Sequence, residues 1–157
     1  MSIVVRLAKQ NDMIYMEQLL EKAKLNKAGI AEHIENFLVV EDLRPEARPH
    51  IVGMVGLEVY GECGILRSLV LRSESWNSRV GVELIALIVS YGWRLGLKKI
   101  YLMTSNSQSF FEYWGFKEIA WNKVPDELRQ STHFQEYDEA LATVMCLQKD
   151  ESESKKA

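Results

Sequence analysis

One run of the sequence constrains the fold more than any other part of the chain. An apolar stretch, residues 66–71, is followed by a polar loop, residues 72–79, and then by a long apolar helix that starts near Val80. A second apolar stretch, residues 100–104, leads into a second helix that ends at Trp114. A helix that begins after a strand and a loop can bind an anion, because its unpaired backbone N–H groups and its dipole favour negative charge. The run therefore predicts an α/β fold with a site for a phosphorylated cofactor.

The composition narrows the class of protein. The chain has 157 residues, of which 47% are hydrophobic and 26% are charged, as in an ordinary soluble domain. The net charge of -3 argues against a nucleic-acid binder, which usually presents a basic face. We find neither a signal peptide nor a run of about 20 apolar residues. We therefore expect a cytoplasmic protein without a membrane segment, in which residues 1–148 form a single domain and residues 149–157 form a charged, disordered tail.

The two cysteines and three histidines have neither the spacing of a metal site nor that of a disulfide framework. Cys63 lies in a predicted turn and Cys146 in a predicted strand, and we expect both to be reduced thiols. We expect no metal.

The remaining hydrophobic periodicity predicts the other helices and strands. Helices are predicted over residues 11–24, 30–37, 80–95 and 107–114, with Asn11 or Asp12 as the first N-cap, and a helical turn is predicted after Pro125. Strands are predicted over residues 3–8, 37–41, 51–60, 64–71, 99–104, 116–121 and 140–147. This order indicates a mixed central sheet with helices on both faces.

Two of these strands are joined by Gly61-Glu62-Cys63, which predicts an antiparallel hairpin. In such a hairpin Glu58 lies opposite Arg67, with Tyr60 on the same face. Strict alternation of side chains places Ser68 on the other face, so that Arg67 and Ser68 cannot contact one ligand unless a bulge intervenes.

The order of the elements and four sequence segments resemble those of the GNAT N-acetyltransferases over residues 3–147. The segments are Ile51-Val52-Gly53…Leu57-Glu58-Val59-Tyr60-Gly61, Leu66-Arg67-Ser68-Leu69-Val70, Leu102-Met103-Thr104 and Phe110-Phe111…Gly115-Phe116. They look most like the branch that includes arsenic-resistance N-acetyltransferases and the acetyltransferase domain of glutamate N-acetylating enzymes. The resemblance implies a GNAT-like acyl-CoA N-acyltransferase fold, acetyl-CoA as co-substrate, and an amine of a small, amino-acid-like molecule as acceptor. Homodimers are common in the family.

The resemblance also indicates which residues bind the cofactor. It places the backbone groups of Leu69, Val70 and Leu71 beside the pantetheine arm, with Thr104 nearby. Phe111 stands where many members have a tyrosine that is proposed to protonate the departing thiolate. Because phenylalanine cannot donate a proton, we favour core packing as the role of Phe111.

The predicted pyrophosphate loop departs from the family pattern. The family reads Arg-Gly-x-Gly-x-Gly or Gln-x-x-Gly-x-Gly, whereas this chain reads Trp76-Asn77-Ser78-Arg79-Val80-Gly81 and matches only at the last glycine. By position, the pyrophosphate-binding residues are Asn77, Ser78, Arg79, Val80, Gly81 and Val82. Arg79 could bind phosphate directly, crowd the backbone N–H groups, or simply favour the helix. Because of this departure, a second interpretation of the chain stays open, namely a catalytically degenerate GNAT-fold protein with a binding or regulatory role.

Acetyl transfer needs a neutral amine, a polarised thioester carbonyl and alignment of the two. Glu58 is the best-placed carboxylate for a general base, acting through water. Arg67, with Ser68 and Tyr60, is the candidate for binding a substrate carboxylate, because a guanidinium offers a matching planar fork. The other interpretation is that Glu58 and Arg67 form only a cross-strand ion pair.

Overall fold

The computed structural model describes residues 3–46, 50–72 and 78–150, and in this part seven strands form one mixed sheet. The strands are β1 (Ile3–Leu7), β2 (Phe37–Asp42), β3 (Ile51–Tyr60), β4 (Cys63–Leu71), β5 (Lys99–Thr104), β6 (Lys117–Ile119) and β7 (Thr143–Gln148). Their order in the sheet is β1-β2-β3-β4-β5-β7-β6. β4 and β5 are parallel, whereas β1–β2, β2–β3, β5–β7 and β6–β7 are antiparallel. The predicted mixed sheet is confirmed.

The helices differ greatly in length. They are α1 (Met13–Lys22), α2 (Ile30–His33), α3 (Ser78–Arg94), α4 (Gln108–Tyr113), α5 (Asp126–Arg129) and α6 (Thr132–Gln135). Short 3₁₀ turns occupy Gln10–Asp12, Ile34–Asn36 and Trp121–Lys123. The long helix α3 ends before Gly96, whose φ of 96° is the left-handed conformation that commonly ends a helix.

The chain falls into two compact units, each with its own core. The first unit comprises Met1–Glu58 and Leu66–Ser90. In its described part, Met16, Leu19 and Leu20 of α1 recur at helical spacing and are buried against β2 and β3. Burial of each such side chain contributes about 1.5–3 kcal/mol.

The second unit comprises Val59–Ile65 and Tyr91–Ala157. Its core lies on one face of β5 and β7 and under the short helices α5 and α6. It includes Ile65, Tyr101, Met103, Val124, Leu128, Phe134 and Val144. The expectation that residues 1–148 form one domain stays a prediction.

Several predicted boundaries are wrong in detail. β6 ends at Ile119, because Trp121 begins a 3₁₀ turn. Cys63 lies in β4, since Gly61 and Glu62 alone make the hairpin turn. Asp12 does not cap α1 through its side chain. Its carboxylate instead accepts hydrogen bonds from the Lys9 backbone N–H (2.7 Å) and from Arg6 (2.8 and 2.9 Å).

Candidate functional site

A buried ion pair connects β3 to β4 in the first unit. Arg67 Nη1 donates to Glu58 Oε2 over 2.6 Å. The Arg67 side chain is 0% exposed and that of Glu58 is 3% exposed. The cross-strand ion pair that the hairpin predicted is therefore confirmed, and it is withdrawn from water.

The guanidinium of Arg67 also holds the loop that precedes α2. Nη1 donates to the Ala28 carbonyl over 2.7 Å and Nη2 to the Asn26 carbonyl over 2.8 Å. Nε donates to Ser68 Oγ over 3.0 Å. Because a guanidinium has five N–H groups, these contacts and the bond to Glu58 commit four of them. Binding of a substrate carboxylate by Arg67, which stays a prediction, would require some of these bonds to break.

Ser68 interrupts the regular alternation of β4. Its φ of 62° is left-handed, a conformation that costs a residue with a side chain about 1–2 kcal/mol. The side-chain oxygen of Ser68 lies on the same side as the Arg67 guanidinium, to which it is bonded. The expectation that Arg67 and Ser68 point to opposite faces is therefore wrong, because a left-handed residue turns the chain as a bulge does.

His33, which the sequence did not single out, approaches the ion pair from the end of α2. Its Nε2 lies 3.6 Å from Glu58 Oε1, the oxygen that does not bind Arg67 Nη1. This distance is too long for a direct hydrogen bond, but it suits an ion pair with a protonated ring or a contact through water. The His33 side chain is 20% exposed, so it is the most accessible member of the trio. No spacing in the sequence links it to Glu58.

Gly29 lies directly over the ion pair. Its φ is 85°, and a Cβ at this position would stand 3.5 Å from Arg67 Nη1 and 3.7 Å from Glu58 Oε2. The left-handed glycine thus starts α2 and lets the loop close over the two charges.

On the predicted cofactor side, Leu69, Val70 and Leu71 are half-buried at the end of β4. β4 pairs with β5 over residues 63–65, before these three residues begin. They run beside Gly53 of β3. If Gly53 carried a Cβ, that atom would lie 3.0 Å from the backbone oxygen of Val70.

The long helix α3 begins at Ser78, seven residues after β4 ends. The Arg79 side chain is 86% exposed and its Nε contacts Glu83 Oε1 at 3.1 Å, one turn along the helix. Val80 and Gly81 are buried and Val82 is half-buried. Trp76 and Asn77, which were predicted to lie in the pyrophosphate loop, are outside the described residues.

The second unit holds the remaining predicted residues. Thr104 is buried, and its Oγ1 accepts a hydrogen bond from the Ser107 backbone N–H over 3.0 Å. The Phe111 ring packs edge-on against Phe110 and Phe116, at centroid distances of 5.2 and 5.7 Å. This packing supports the preferred interpretation of Phe111 as a core residue. Tyr60 packs against the core of the second unit, and its role in substrate binding stays a prediction.

Residues 3–46, 50–72 and 78–150 contain neither a metal-binding cluster nor a membrane-spanning helix. No three or more His, Cys, Asp or Glu side chains in these ranges are grouped so that they could hold a metal ion. Within the same ranges, no helix combines the length and apolar character needed to cross a bilayer. Cys63 and Cys146 are free thiols.

Comparison with known proteins places this geometry in a family. The sequence model described as the acetyltransferase (GNAT) family matches residues 9–116. The chain is 29% identical over 133 residues to the uncharacterized protein YwlB of Bacillus subtilis (strain 168), covering 83% of this chain and 86% of that protein.

Solved structures show the same fold at low sequence identity. N-acetylglutamate synthase from Neisseria gonorrhoeae, complexed with coenzyme A and N-acetyl-glutamate, matches 93% of this chain with a TM-score of 0.75 and 17% identity. This chain spans only 35% of that synthase. Rv2747 from Mycobacterium tuberculosis, in complex with CoA and NLQ, matches 94% of this chain and 99% of its own, with a TM-score of 0.74 and 22% identity. From the family match over residues 9–116, the chain belongs to the acetyltransferase (GNAT) family.

Proposed function

We propose that the protein transfers an acetyl group from acetyl-CoA to the amine of a small, amino-acid-like molecule. The observation that carries this proposal is the buried Glu58 carboxylate, which has Arg67 on one oxygen and the partly exposed His33 imidazole near the other. An imidazole supported by a carboxylate is suited to remove a proton from an ammonium group. Family membership and the CoA-bound relatives support the choice of cofactor.

The chain's residues fit the cofactor in two respects. The helix α3 presents its first backbone N–H groups after β4, as an anion site requires. Arg79 lies along the helix surface towards Glu83, which leaves those N–H groups uncovered by its side chain. We assign the pyrophosphate to the N–H groups of residues 78–82, together with Asn77, and the pantetheine arm to the backbone of residues 69–71. Thr104 and Phe111 are assigned to this side by resemblance alone.

When bound, acetyl-CoA supplies the activated acetyl thioester. In the proposed mechanism, His33 takes a proton from the incoming ammonium group and Glu58 stabilises the resulting imidazolium. The neutral amine nitrogen would then form a bond to the acetyl carbon as the carbon–sulfur bond breaks, and the proton that this nitrogen loses would protonate the departing coenzyme A thiolate, directly or through water. Glu58 acts through His33, because its own carboxylate is 3% exposed and engaged by Arg67.

The choice of an amino-acid-like acceptor is based on similarity to other proteins. Its support is the resemblance to amino-acid N-acetylating enzymes and the coenzyme A and N-acetyl-glutamate complex of the similar synthase. The alternative, a degenerate protein that binds without catalysis, rested partly on Arg79, whose exposed position removes one reason for it. A homodimer stays a prediction.

The decisive experiment combines calorimetric titration with acetyl-CoA and an assay of thiol release against a panel of amino acids. We expect micromolar binding and amine-dependent thiol release. Absence of binding up to millimolar acetyl-CoA would overturn the proposal. Binding without thiol release for any amine would favour the non-catalytic alternative.

A further inference from the structure

A cavity of about 340 Å³ in the second unit is lined largely by groups that donate hydrogen bonds. Its lining includes Lys99, Lys117, Lys123, Tyr101, Cys146 and Gln148. Its volume lies in the range of small-molecule sites, about 300–1,000 Å³. The cavity lies wholly within the second unit, and none of its residues has a role in the proposed acetyl transfer.

The sheet register explains why these side chains meet. Cys146 of β7 pairs with Tyr101 of β5 on one side and with Lys117 of β6 on the other. Gln148 pairs with Lys99 two residues along the same strands, so the five side chains share one face. Lys123 belongs to the 3₁₀ turn that follows β6, and it lines the same cavity.

The charges in this cavity are of one sign. Lys99, Lys117 and Lys123 form no ion pair with any described residue, whereas Lys27 and Lys98 pair with Glu21 and Glu62. Among the described residues, no Asp or Glu lines the cavity. The whole chain has a net charge of -3, so a cavity lined by three unpaired lysines is opposite in sign to the charge of the chain as a whole. Like charges gathered in this way repel each other, and a bound anion would relieve the repulsion.

The neutral groups in the cavity are a phenol, a thiol and an amide, and the first two are hydrogen-bonded to each other. Tyr101 is 3% exposed, and burial raises its pKa to about 12, so its hydroxyl keeps its proton at neutral pH. Burial also raises the pKa of the Cys146 thiol, an effect that Lys99 partly opposes. The Gln148 side chain contributes an amide.

We propose that this cavity binds a small anion that carries at least two negative charges, on phosphate or carboxylate groups. Lysines from three separate elements line the space, which suits a compact multivalent anion better than a single carboxylate. Anion binding in this cavity does not depend on acetyl transfer, and the two are tested by separate experiments.

The test uses the full chain labelled with ¹⁵N, titrated with inorganic phosphate and, separately, with citrate at constant ionic strength. We expect saturable shifts of the amide signals around Lys99, Lys117 and Cys146. The Lys117→Gln/Lys123→Gln variant should bind at least about tenfold more weakly, because it removes two of the three positive charges that line the cavity. Saturation by phosphate alone, or by citrate alone, identifies the anionic group that the cavity prefers.

A charge-matched control separates this site from the general charge of the protein. In Lys22→Gln/Lys98→Gln, two exposed lysines that do not line the cavity are neutralised. We expect its affinity for either probe to equal that of the unchanged protein. The proposal is overturned if neither probe saturates, or if the two double variants weaken binding equally. Because all four lysines are exposed, thermal unfolding should show that both variants are folded.

Discussion

Arg67 donates a hydrogen bond of 2.6 Å to Glu58, and both side chains are almost completely buried. A buried ion pair is by itself weak evidence of stability, because the loss of hydration offsets much of the attraction. Here the guanidinium also bonds the carbonyl groups of Asn26 and Ala28. The pair therefore fixes the loop before α2 and, through it, the position of His33.

Replacing Arg67 by methionine should destabilise the protein by about 3–5 kcal/mol, because Glu58 would remain buried without its partner. The double variant Glu58→Gln/Arg67→Met should lose less than the sum of the two single losses. Urea unfolding of the four proteins measures both effects. A loss below 1 kcal/mol for Arg67→Met would show that water reaches Glu58 easily.

The sequence predicted this pair because residues facing each other in an antiparallel hairpin are fixed once the turn is located. The two strands that carry it, Ile51–Tyr60 and Cys63–Leu71, were also predicted within one residue. Strong β-formers and a short turn decide these elements locally.

The rest of the site could not be predicted from local patterns. The left-handed turn at Ser68 follows from the surrounding tertiary structure and leaves no mark in the alternation of residues. His33 meets Glu58 through a contact between a short helix and a distant strand, which neither periodicity nor spacing encodes.

The proposed role of His33 predicts a specific kinetic change. His33→Gln should lower kcat by about 10²- to 10⁴-fold, while the KM for acetyl-CoA stays the same. The acid limb of the pH–rate profile, which an imidazole base produces, should disappear. Steady-state assays over a range of pH test this, with His50→Gln as the matched histidine control. An active wild type with an unchanged profile in His33→Gln would remove His33 from the mechanism and leave the acetyltransferase proposal intact.

The left-handed conformation of Ser68 predicts an unusual order of stability between two small substitutions. Ser68→Ala loses the oxygen that accepts from Arg67 Nε and keeps the backbone strain. Ser68→Gly loses the same oxygen but relieves the strain, so it should be about 1–2 kcal/mol more stable than Ser68→Ala. Thermal unfolding of the two variants is sufficient. Equal stabilities would indicate that the strain at Ser68 is negligible.

The Asp12 carboxylate should make stability depend on pH. Hydrogen bonds from Arg6, and then from the Lys9 backbone, hold the pKa of Asp12 below its usual range. Its contribution is therefore present above the ordinary aspartate pKa of about 3.9 and is lost as the pH falls below that value. Asp12→Asn should cost about 1–3 kcal/mol at neutral pH and clearly less near pH 3. Urea unfolding at both pH values checks this, with the exposed Glu32→Gln as a control. A cost that does not change with pH would contradict the assignment.

Gly56 of β3 pairs with Phe37 of β2, and the Phe37 ring occupies the space that a side chain at position 56 would need. A Cβ at Gly56 would overlap two carbons of that ring, which is fully buried. Gly56→Ala should therefore destabilise the first unit by about 1–3 kcal/mol through overpacking. The double variant Phe37→Leu/Gly56→Ala should recover part of the loss, because the smaller side chain removes the clash, and unfolding of all four proteins gives the coupling energy. Additive losses would mean that the strands separate to accept the methyl group, and the close packing of β2 on β3 would then not explain the glycine.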